Sequence, residues 1–392
     1  MTHAVPIEFV VPPRPARVRP WVGLRRILAV RLDAAGDVLM TTPALRALRA
    51  SRPERLTLLT STSGAAIADL LPELDDVIVY DAPWMKATPD AVDPADDAAF
   101  IERLRAERFD ATAIFTVHSQ SPLPAATVTY LAGIHRRLAH CRENPYELLT
   151  DWVPDPEGEA PIRHEVRRQL DLLDRVGVHA VDEHLSLHVP DTASRAIRER
   201  LGRFGIGPHD PWLVVHPGAT AESRRYPPDR FGEVLRRLRV RTDWRFVLTG
   251  SRSERPLAEA VRAAADGDGI SLAGELTMAE MAALVAVAPM VLTNNSLPAH
   301  IAAAVGTPVV DLYALTNLQH TPWAVPNRVL SVDVPCKGCR RSVCPLGHNR
   351  CLHAVEPTDV VDALIELGRD MGLPERRAAT LPQRGGEPVH AR

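Results

Sequence analysis

Lysine is nearly absent from this chain. Of 392 residues only Lys86 and Lys337 are lysines, and the net charge is −3. Without an excess of positive charge, the composition argues against a nucleic-acid partner. No apolar run approaches the roughly 18 residues that a membrane-spanning helix needs, and the N-terminus lacks the apolar segment of a secretory signal. We therefore expect a cytoplasmic protein.

Cysteine is also scarce, with five residues in the whole chain. In a cytoplasmic protein such thiols are more often free, metal-bound or reactive than paired in disulfides. Several arginines precede the first predicted strand, and two interpretations stay open for them. They form either a solvated tail or a surface for peripheral association with the inner membrane; they are Arg14, Arg17, Arg19, Arg25 and Arg26.

Short apolar runs alternate with helical patterns along most of the chain, beginning with the predicted strand Arg26–Arg31. This alternation predicts an α/β protein with two doubly wound parallel sheets facing a cleft. We expect an arm over 1–24, a first domain over 25–195, a second over 196–371, and a disordered tail over 372–392. Residues 82–97 are predicted to be a solvated acidic loop, and 151–158 are polar and rich in proline.

The first candidate motif follows the first strand. Gly36 is expected to let the backbone turn sharply, so that Asp37 faces the cleft at the start of a helix from about Val38 to Ala50. A carboxylate in that place can accept a proton from an attacking hydroxyl. The alternative is that Asp37 only caps the helix and Asp33 is a turn residue.

Two polar loops follow strands of the second domain. His216–Phe231 contains a glycine turn with small hydroxyl residues and then Arg224 and Arg225, a combination that suits a diphosphate. Thr249–Glu254 is a second turn of the same kind. Each loop has a simpler interpretation as a surface turn, but several polar loops at the strand ends of one domain favour a shared site.

The polar turn Asn294–His300 lies between a buried strand and a short helix. Open α/β sheets bind ligands at such a place, because helix N–H groups and their dipole attract anions. The alternative is that Asn294 and Ser296 merely cap the helix.

Four thiols lie close together in the sequence near the end of the second domain, at Cys336, Cys339, Cys344 and Cys351. They can close around structural zinc or an iron–sulfur cluster, or remain free or redox-paired. The spacing matches no standard zinc module. Cys141 is isolated and is expected to be buried.

Together, Arg31–Leu45, His216–Phe231 and Thr293–Leu312 resemble glycosyltransferase family 9, the heptosyltransferases of the lipopolysaccharide inner core. The resemblance covers about residues 26–370 and implies a GT-B fold with two Rossmann-like domains. The first domain would bind the acceptor and the second the nucleotide-sugar. The resemblance also implies that catalysis needs no metal or cofactor. It implies that Asp37 is the catalytic base and that Asp33, Gly36 and Thr41 lie on the acceptor side. The donor-binding residues that it implies are His216, Gly218, Thr220, Arg224, Thr249, Gly250, Asn294, Asn295, Ser296 and His300.

The sequence departs from the family pattern T-N-D-S-G-x-x-H at two positions, where it has Asn295 and Leu297. Asparagine cannot supply a negative charge, and leucine brings bulk where backbone would approach phosphate. We therefore expect a donor other than ADP-L-glycero-D-manno-heptose. The predicted function is inverting, metal-independent transfer of a sugar from a nucleotide-diphosphate donor to a glycan or glycolipid acceptor. The alternatives are a sugar-nucleotide epimerase and a non-catalytic nucleotide-sugar-binding protein.

Overall fold

The computed structural model describes residues 18–86, 93–155 and 162–376. The first half of the chain forms one parallel sheet covered by helices. Its strands are β1 (Arg26–Arg31), β2 (Arg55–Thr60), β3 (Asp76–Val79), β4 (Ala111–Ile114), β5 (Arg136–Cys141) and β6 (Asp151–Pro154). Its helices are α1 (Ala35–Met40), α2 (Thr42–Ala50), α3 (Thr62–Ala68), α4 (Pro94–Ala106), α5 (Leu123–Leu131) and α6 (Glu165–Asp174).

The second half repeats this plan. Its strands are β7 (Trp212–His216), β8 (Arg245–Leu248), β9 (Ile270–Ser271), β10 (Val291–Asn294), β11 (Val309–Leu312) and β12 (Asn327–Leu330). Its helices are α7 (Asp191–Arg203), α8 (Pro228–Arg241), α9 (Arg255–Ala264), α10 (Met278–Val287), α11 (Leu297–Val305), α12 (Arg350–His353) and α13 (Pro357–Asp370). The predicted α/β class with two doubly wound sheets is confirmed.

The two sheets have the same topology. The strand orders are β3-β2-β1-β4-β5-β6 and β9-β8-β7-β10-β11-β12, and all the pairings are parallel. In each sheet the connections change direction beside the first strand, between β1 and β4 and between β7 and β10. Ligands of open α/β sheets bind outside the carboxyl ends of the strands at that point. The fold therefore places the loops after β1, β7 and β10 at candidate sites.

The helix predicted from Val38 to Ala50 is two helices. α1 begins at Ala35 and ends at Met40, and α2 begins after Thr41 with Pro43 in its first turn. Pro43 lacks the backbone N–H that would donate to the Leu39 carbonyl in a continuous helix, and the Thr42 hydroxyl donates to that carbonyl instead.

Two stretches predicted without regular structure contain it. α4 begins at Pro94, because Asp93 caps it by accepting the Ala95 N–H, so the predicted loop over 82–97 ends too late. Residues 87–92 lie outside the described ranges. The strand β6 was missed because it begins with Asp151; that carboxylate is buried and paired with Arg136 at 3.0 Å.

The ends of the described chain are packed against their domains. Trp21 is 5% exposed, and its backbone N–H donates to the Val176 carbonyl. At the other end the Trp244 indole donates to the Pro374 carbonyl. Trp21 and Pro374 thus contact their domains, and the boundaries of the disordered or loosely docked arm and of the disordered tail stay predictions. Residues 1–17 and 377–392, which complete those two predictions, fall outside the part of the chain that the structure describes.

The predicted boundary between residues 195 and 196 falls inside α7. This helix buries Ala193, Ile197 and Leu201 and forms an ion pair through Arg200 with Glu275 of the second half. The second domain therefore begins at about Asp191. Across the described residues, no helix is both long and apolar enough to cross a bilayer.

Candidate active site

A buried arginine organises the loop that follows β1. Arg31, the last residue of β1, has a fully buried side chain and contacts three carboxylates: Asp33 at 3.1 Å, Asp37 at 3.2 Å and Glu165 at 2.8 Å. Glu165 begins α6 and is also fully buried. The arrangement holds three carboxylates around one guanidinium, and it fixes Asp37 at the first turn of α1.

The carboxylates of this cluster differ in their protonation. Burial raises the pKa of Asp33 to about 6, although Arg31 opposes the shift. Burial also acts against the charged form of Glu165, but Arg31 and then Arg168 outweigh it and lower the Glu165 pKa to about 2. Arg31 itself is held as a cation, because its three partners more than offset the effect of burial. Glu165 thus stays ionised, and the pKa of Asp33 lies closer to neutral pH than that of Glu165.

Asp37 faces the second domain. Its side chain is 19% exposed, and its Oδ1 lies 3.9 Å from Nδ1 of His320, in the loop after β11. Burial lowers the pKa of His320 below its ordinary value, so the imidazole ring is neutral at neutral pH. Nothing in the sequence around His320 indicated a role in the site. The structure brings it there because β11 ends at the same edge as β10.

Gly36 has a different role from the predicted one. It lies within α1 and does not have a positive φ. A Cβ built at Gly36 would lie 2.9 Å from Cδ2 of His300, whose side chain is buried on α11. The glycine therefore permits close contact between α1 and α11, one from each domain. Thr41, placed on the acceptor side by the sequence, is buried and donates its hydroxyl to the Asp37 carbonyl.

A cavity of about 530 Å³ lies at the carboxyl ends of β7, β8 and β10. It opens at the N-terminus of α11, where Ser296 occupies the capping position without a side-chain cap bond. Ser296 therefore does not cap the helix through its side chain, although its carbonyl accepts the Ala299 N–H. The positive end of the helix dipole at this place favours an anion. The residues that line this donor cavity include the predicted His216, Thr220, Gly250 and Ser296, and also Arg225, Glu254, Met278, Met281 and Leu297.

Several predicted donor residues support the cavity from behind. Asn294 is fully buried; its amide oxygen accepts the Tyr226 N–H, and its amide nitrogen donates to the Pro217 carbonyl. Asn295 is buried and donates to the His320 carbonyl at 3.3 Å. Thr249 is within 3.0 Å of the His216 ring nitrogen Nδ1. These side chains join the loops that form the cavity.

Gly218 makes room for a carboxylate that the sequence did not single out. A Cβ at Gly218 would lie 2.3 Å from Glu254 Oε1. Glu254 accepts the Ser251 N–H at 2.8 Å and lines the donor cavity. Burial acts to raise the Glu254 pKa, but the Ser251 backbone N–H and His216 more than offset it, so the pKa is lowered and the side chain is an anion. A carboxylate here suits the hydroxyl groups of a ribose rather than a phosphate.

Arg224 and Arg225 are neighbours in the sequence, but their side chains lie near different groups. Arg225 lines the donor cavity, whereas Arg224 is close enough to His300, His320 and Asp311 to perturb the pKa of each. Asp311 is fully buried on β11, and neither of its carboxylate oxygens has a hydrogen-bond partner. Burial raises its pKa well above the usual range, with Arg224 opposing. Arg224 thus lies near His300 and His320, the two histidines that approach the first domain at Gly36 and Asp37.

The four-thiol segment contacts both domains. Ser223, beside Arg224, donates its N–H to the Ser342 carbonyl and its hydroxyl to the Arg341 carbonyl. Lys86 of the first domain donates to the Ser342 hydroxyl at 2.5 Å, and Arg340 contacts His118. The segment therefore links the Arg224 loop to the first domain.

The thiols themselves do not form a metal site here. Within the described ranges, no group of three or more His, Cys, Asp or Glu side chains is arranged to hold a metal ion. Within the cluster, Cys336 Sγ lies 3.9 Å from His348 Nε2. Cys141 is buried, as expected.

The two domains thus present a carboxylate on one side of a cleft and an anion-accepting helix end with a cavity on the other. This arrangement defines a two-domain enzyme of the nucleotide-dependent α/β class. The model of glycosyltransferase family 9 (heptosyltransferase) matches residues 98–349, and the chain belongs to this family.

Similar proteins agree in fold and length. Lipopolysaccharide heptosyltransferase 3 of Escherichia coli is 25% identical over 299 residues, which cover 74% of this chain and 84% of that protein. The family 9 glycosyltransferase of Veillonella parvula superposes with a TM-score of 0.74 at 19% identity, covering 90% of this chain and 99% of that one. The ADP-heptose lipopolysaccharide heptosyltransferase II of E. coli gives a TM-score of 0.68 at 21% identity, covering 88% and 99%. The predicted GT-B fold and glycosyltransferase class are confirmed.

Proposed function

We propose that this enzyme transfers a heptose or similar sugar, with inversion, from an ADP-linked donor to a hydroxyl of a glycan or lipopolysaccharide-core-like acceptor. The names of the relatives support the donor and acceptor classes. The observation that carries the proposal is the position of Asp37. It is a partly exposed carboxylate held by Arg31, and it faces the domain that contains the donor cavity.

In this mechanism Asp37 accepts the proton of the acceptor hydroxyl. The hydroxyl oxygen forms a bond to the anomeric carbon, and the bond from that carbon to the diphosphate oxygen breaks. ADP leaves with the electron pair, so attack and departure occur on opposite faces of the sugar. Arg31 keeps Asp37 in place, and His320, which is neutral, does not compete as a cation for its charge.

The leaving diphosphate requires positive potential. The positive end of the α11 dipole lies at the cavity beside Ser296, and Arg224 and Arg225 supply guanidinium groups. Pro298 has no N–H and the Ala299 N–H donates to the Ser296 carbonyl, so the two arginines supply most of the positive potential. Glu254 would bind the ribose hydroxyls at the far end of the cavity. These groups support a transfer that needs no bound cation, which is tested by activity in the presence of a chelator.

The two departures from the family pattern act in different ways. Leu297 lines the cavity and narrows it near the helix end, whereas Asn295 donates to the His320 carbonyl and is buried. We therefore attribute any change in donor preference to Leu297. A panel of ADP-linked and UDP-linked sugars, screened by mass spectrometry for binding to the purified protein, identifies the donor.

The experiment that tests the transfer is incubation of the enzyme with ADP-heptose and with each nucleotide-sugar that the screen selects, with and without a lipopolysaccharide-core acceptor. The proposal expects ADP release that depends on the acceptor and a product whose anomeric configuration, measured by NMR, is opposite to that of the donor. A retained configuration contradicts inversion. A new nucleotide-sugar formed from the donor alone favours the epimerase, and binding without any turnover favours a non-catalytic protein.

A cytoplasmic location, peripheral on the inner membrane face, is part of this proposal and is tested by cell fractionation. Arg25 and Arg26 are not free for lipid, because they pair with Glu54 and Glu107. Structural zinc or an iron–sulfur cluster at the four thiols stays a prediction, which metal analysis of the purified protein decides. No catalytic step depends on it.

A further inference from the structure

A second cavity lies in the first domain beside the candidate base. It measures about 220 Å³ and opens at the carboxyl ends of β1 and β4. Its walls include Leu32, Met85 and Phe115, with the indole of Trp84 on one side. Ligand pockets for larger molecules occupy roughly 300–1,000 Å³. This cavity therefore has room for about one ring.

The polar end of the cavity leads to the catalytic carboxylates. Gln120 and Ser121 line it, and the Gln120 amide donates to Asp33 Oδ1 at 2.8 Å. Asp33 shares Arg31 with Asp37. The cavity is therefore connected to Asp37 through Gln120, Asp33 and Arg31.

The Trp84 indole is held in position by other aromatic rings. It meets Tyr80 edge-on, with ring centroids 5.9 Å apart, and Tyr80 stacks on Phe100 at 4.0 Å. The Tyr80 hydroxyl donates to Asp97, which fixes the ring further. A preorganised indole offers an apolar face to the C–H groups of a sugar ring.

The lack of charged side chains in the cavity wall limits which acceptors it can bind. None of the residues that line it is charged. The guanidinium of Arg168 donates to the carbonyl of the wall residue Thr116 and pairs with Asp155 at 2.9 Å, so it is already engaged. Lys86 donates to Ser342, and Arg340 contacts His118. A carboxylate or phosphate buried here would lose its hydration without a cationic partner, which is costly.

We propose that this cavity binds one uncharged pyranose ring of the acceptor, with its C–H face on Trp84 and its hydroxyls on Gln120 and Ser121. The ring presents one hydroxyl to Asp37. The inference rests on the proposed transfer and adds the class of acceptor: the sugar that receives the donor is neutral, whatever charges the rest of the acceptor carries.

The test compares two probes that differ in one group, methyl glucopyranoside and its uronic acid. Their binding to the full-length protein, saturated with ADP, is measured by ligand-observed NMR. The neutral glycoside is expected to bind more tightly than the uronate. Trp84→Ala is expected to weaken binding of the neutral glycoside by about five- to tenfold, and Trp84→Phe is expected to retain most of it.

The control is Tyr130→Ala, which removes a half-exposed aromatic ring on α5 outside this cavity. It should leave sugar binding unchanged, and all three variants should bind ADP like the wild type. The inference is overturned if the uronate binds as tightly as the glycoside, if neither probe binds, or if Trp84→Ala has no effect while it remains folded by thermal melting. Failure of the proposed function is a separate result: sugar and ADP bind as described, but no acceptor receives a sugar from ADP-heptose.

Discussion

The two halves of this enzyme share a strand order and differ in how they handle charge. At the edge of the first sheet, Arg31 and three carboxylates form a buried ionic cluster. At the matching edge of the second sheet the buried titratable groups are held neutral: burial lowers the pKa of His300 to about 3 and raises that of Asp311. One half pairs its carboxylates with a buried cation. The other buries His300 and Asp311 as neutral groups, and its anion, Glu254, lies in the wall of the donor cavity.

This contrast shows that sheets with the same strand order can surround sites with different charge, and that a few side chains make the difference. The switch point of each sheet provides only the place. Arg31 at the end of β1 is matched by His216 at the end of β7, which contacts Thr249 instead of carboxylates. The first test of the contrast is therefore to remove the charge of Arg31.

Arg31→Met should produce the largest loss of stability. It leaves Glu165 as a fully buried anion that keeps only a distant cation, Arg168 at 4.0 Å, and leaves Asp33 and Asp37 repelling each other. Removing one partner of a buried ion pair costs about 3–5 kcal/mol. Urea denaturation measures the loss. Arg25→Met, in an exposed pair with Glu54, is the control and should change little; equal losses in the two variants would contradict the organising role of Arg31.

Substitution of Arg224 and of Arg225 should distinguish nucleotide binding from the transfer step. Arg224→Ala should lower kcat by about 10²–10³-fold, because in the proposed mechanism this guanidinium stabilises the leaving group. Arg225→Ala should mainly weaken ADP binding, by about ten- to a hundredfold, because it lines the donor cavity. Calorimetry with ADP and steady-state kinetics check both. The reverse pattern, with Arg224→Ala losing ADP affinity alone, would restore the assignment made from the sequence.

Gly36→Ala tests the contact between the halves. The added methyl group would lie 2.9 Å from the buried His300 ring, so α1 and α11 must move apart. Overpacking of this size costs about 1–3 kcal/mol, which corresponds to a roughly tenfold fall in kcat/KM if the closed arrangement is the active one. Gly202→Ala on α7, where a Cβ meets open space, is the matched control. Identical kinetics for the two variants would show that the contact does not matter for turnover.

Asp311→Asn should give an effect that depends on pH and is smallest in acid. Because the folded pKa of Asp311 is raised, the wild type is most stable below its ordinary value of 3.8 and loses stability as pH rises toward the folded pKa. The variant has no such group, so its melting temperature relative to the wild type should increase with pH above about 4. Thermal melting from acidic to neutral pH measures this. A difference that stays constant across that range would show that Asp311 is not held neutral.

Much of the fold follows from local pattern. The continuous apolar run Trp212–His216 predicted β7 correctly, since strands covered on both faces are apolar throughout. Strand β6 begins with Asp151 and was missed, because its burial depends on Arg136 from the neighbouring strand. The single helix predicted from Val38 to Ala50 is two helices, and Pro43 alone was sufficient to indicate where the second one begins.

The site was less predictable than the fold. Asp37, Thr220 and Ser296 lie at the cleft and the donor cavity as expected, because each follows the end of a strand. His320 and Glu165 reach Asp37 and Arg31 from distant loops and helices, and no local pattern shows such contacts. Whether Arg224 or Arg225 faces the cavity depends on the short 3₁₀ turn that carries them, which the sequence does not specify.

The most direct test of the division between the halves is Asp37→Asn, compared with Asp69→Asn at an exposed position on the same domain. The rate of transfer from ADP-heptose and the ADP affinity are measured for both. The account predicts that Asp37→Asn lowers kcat by about 10²–10⁴-fold and leaves ADP affinity unchanged, because the base is in one half and the nucleotide in the other. Transfer at the wild-type rate, or loss of ADP binding in parallel with activity, would contradict it.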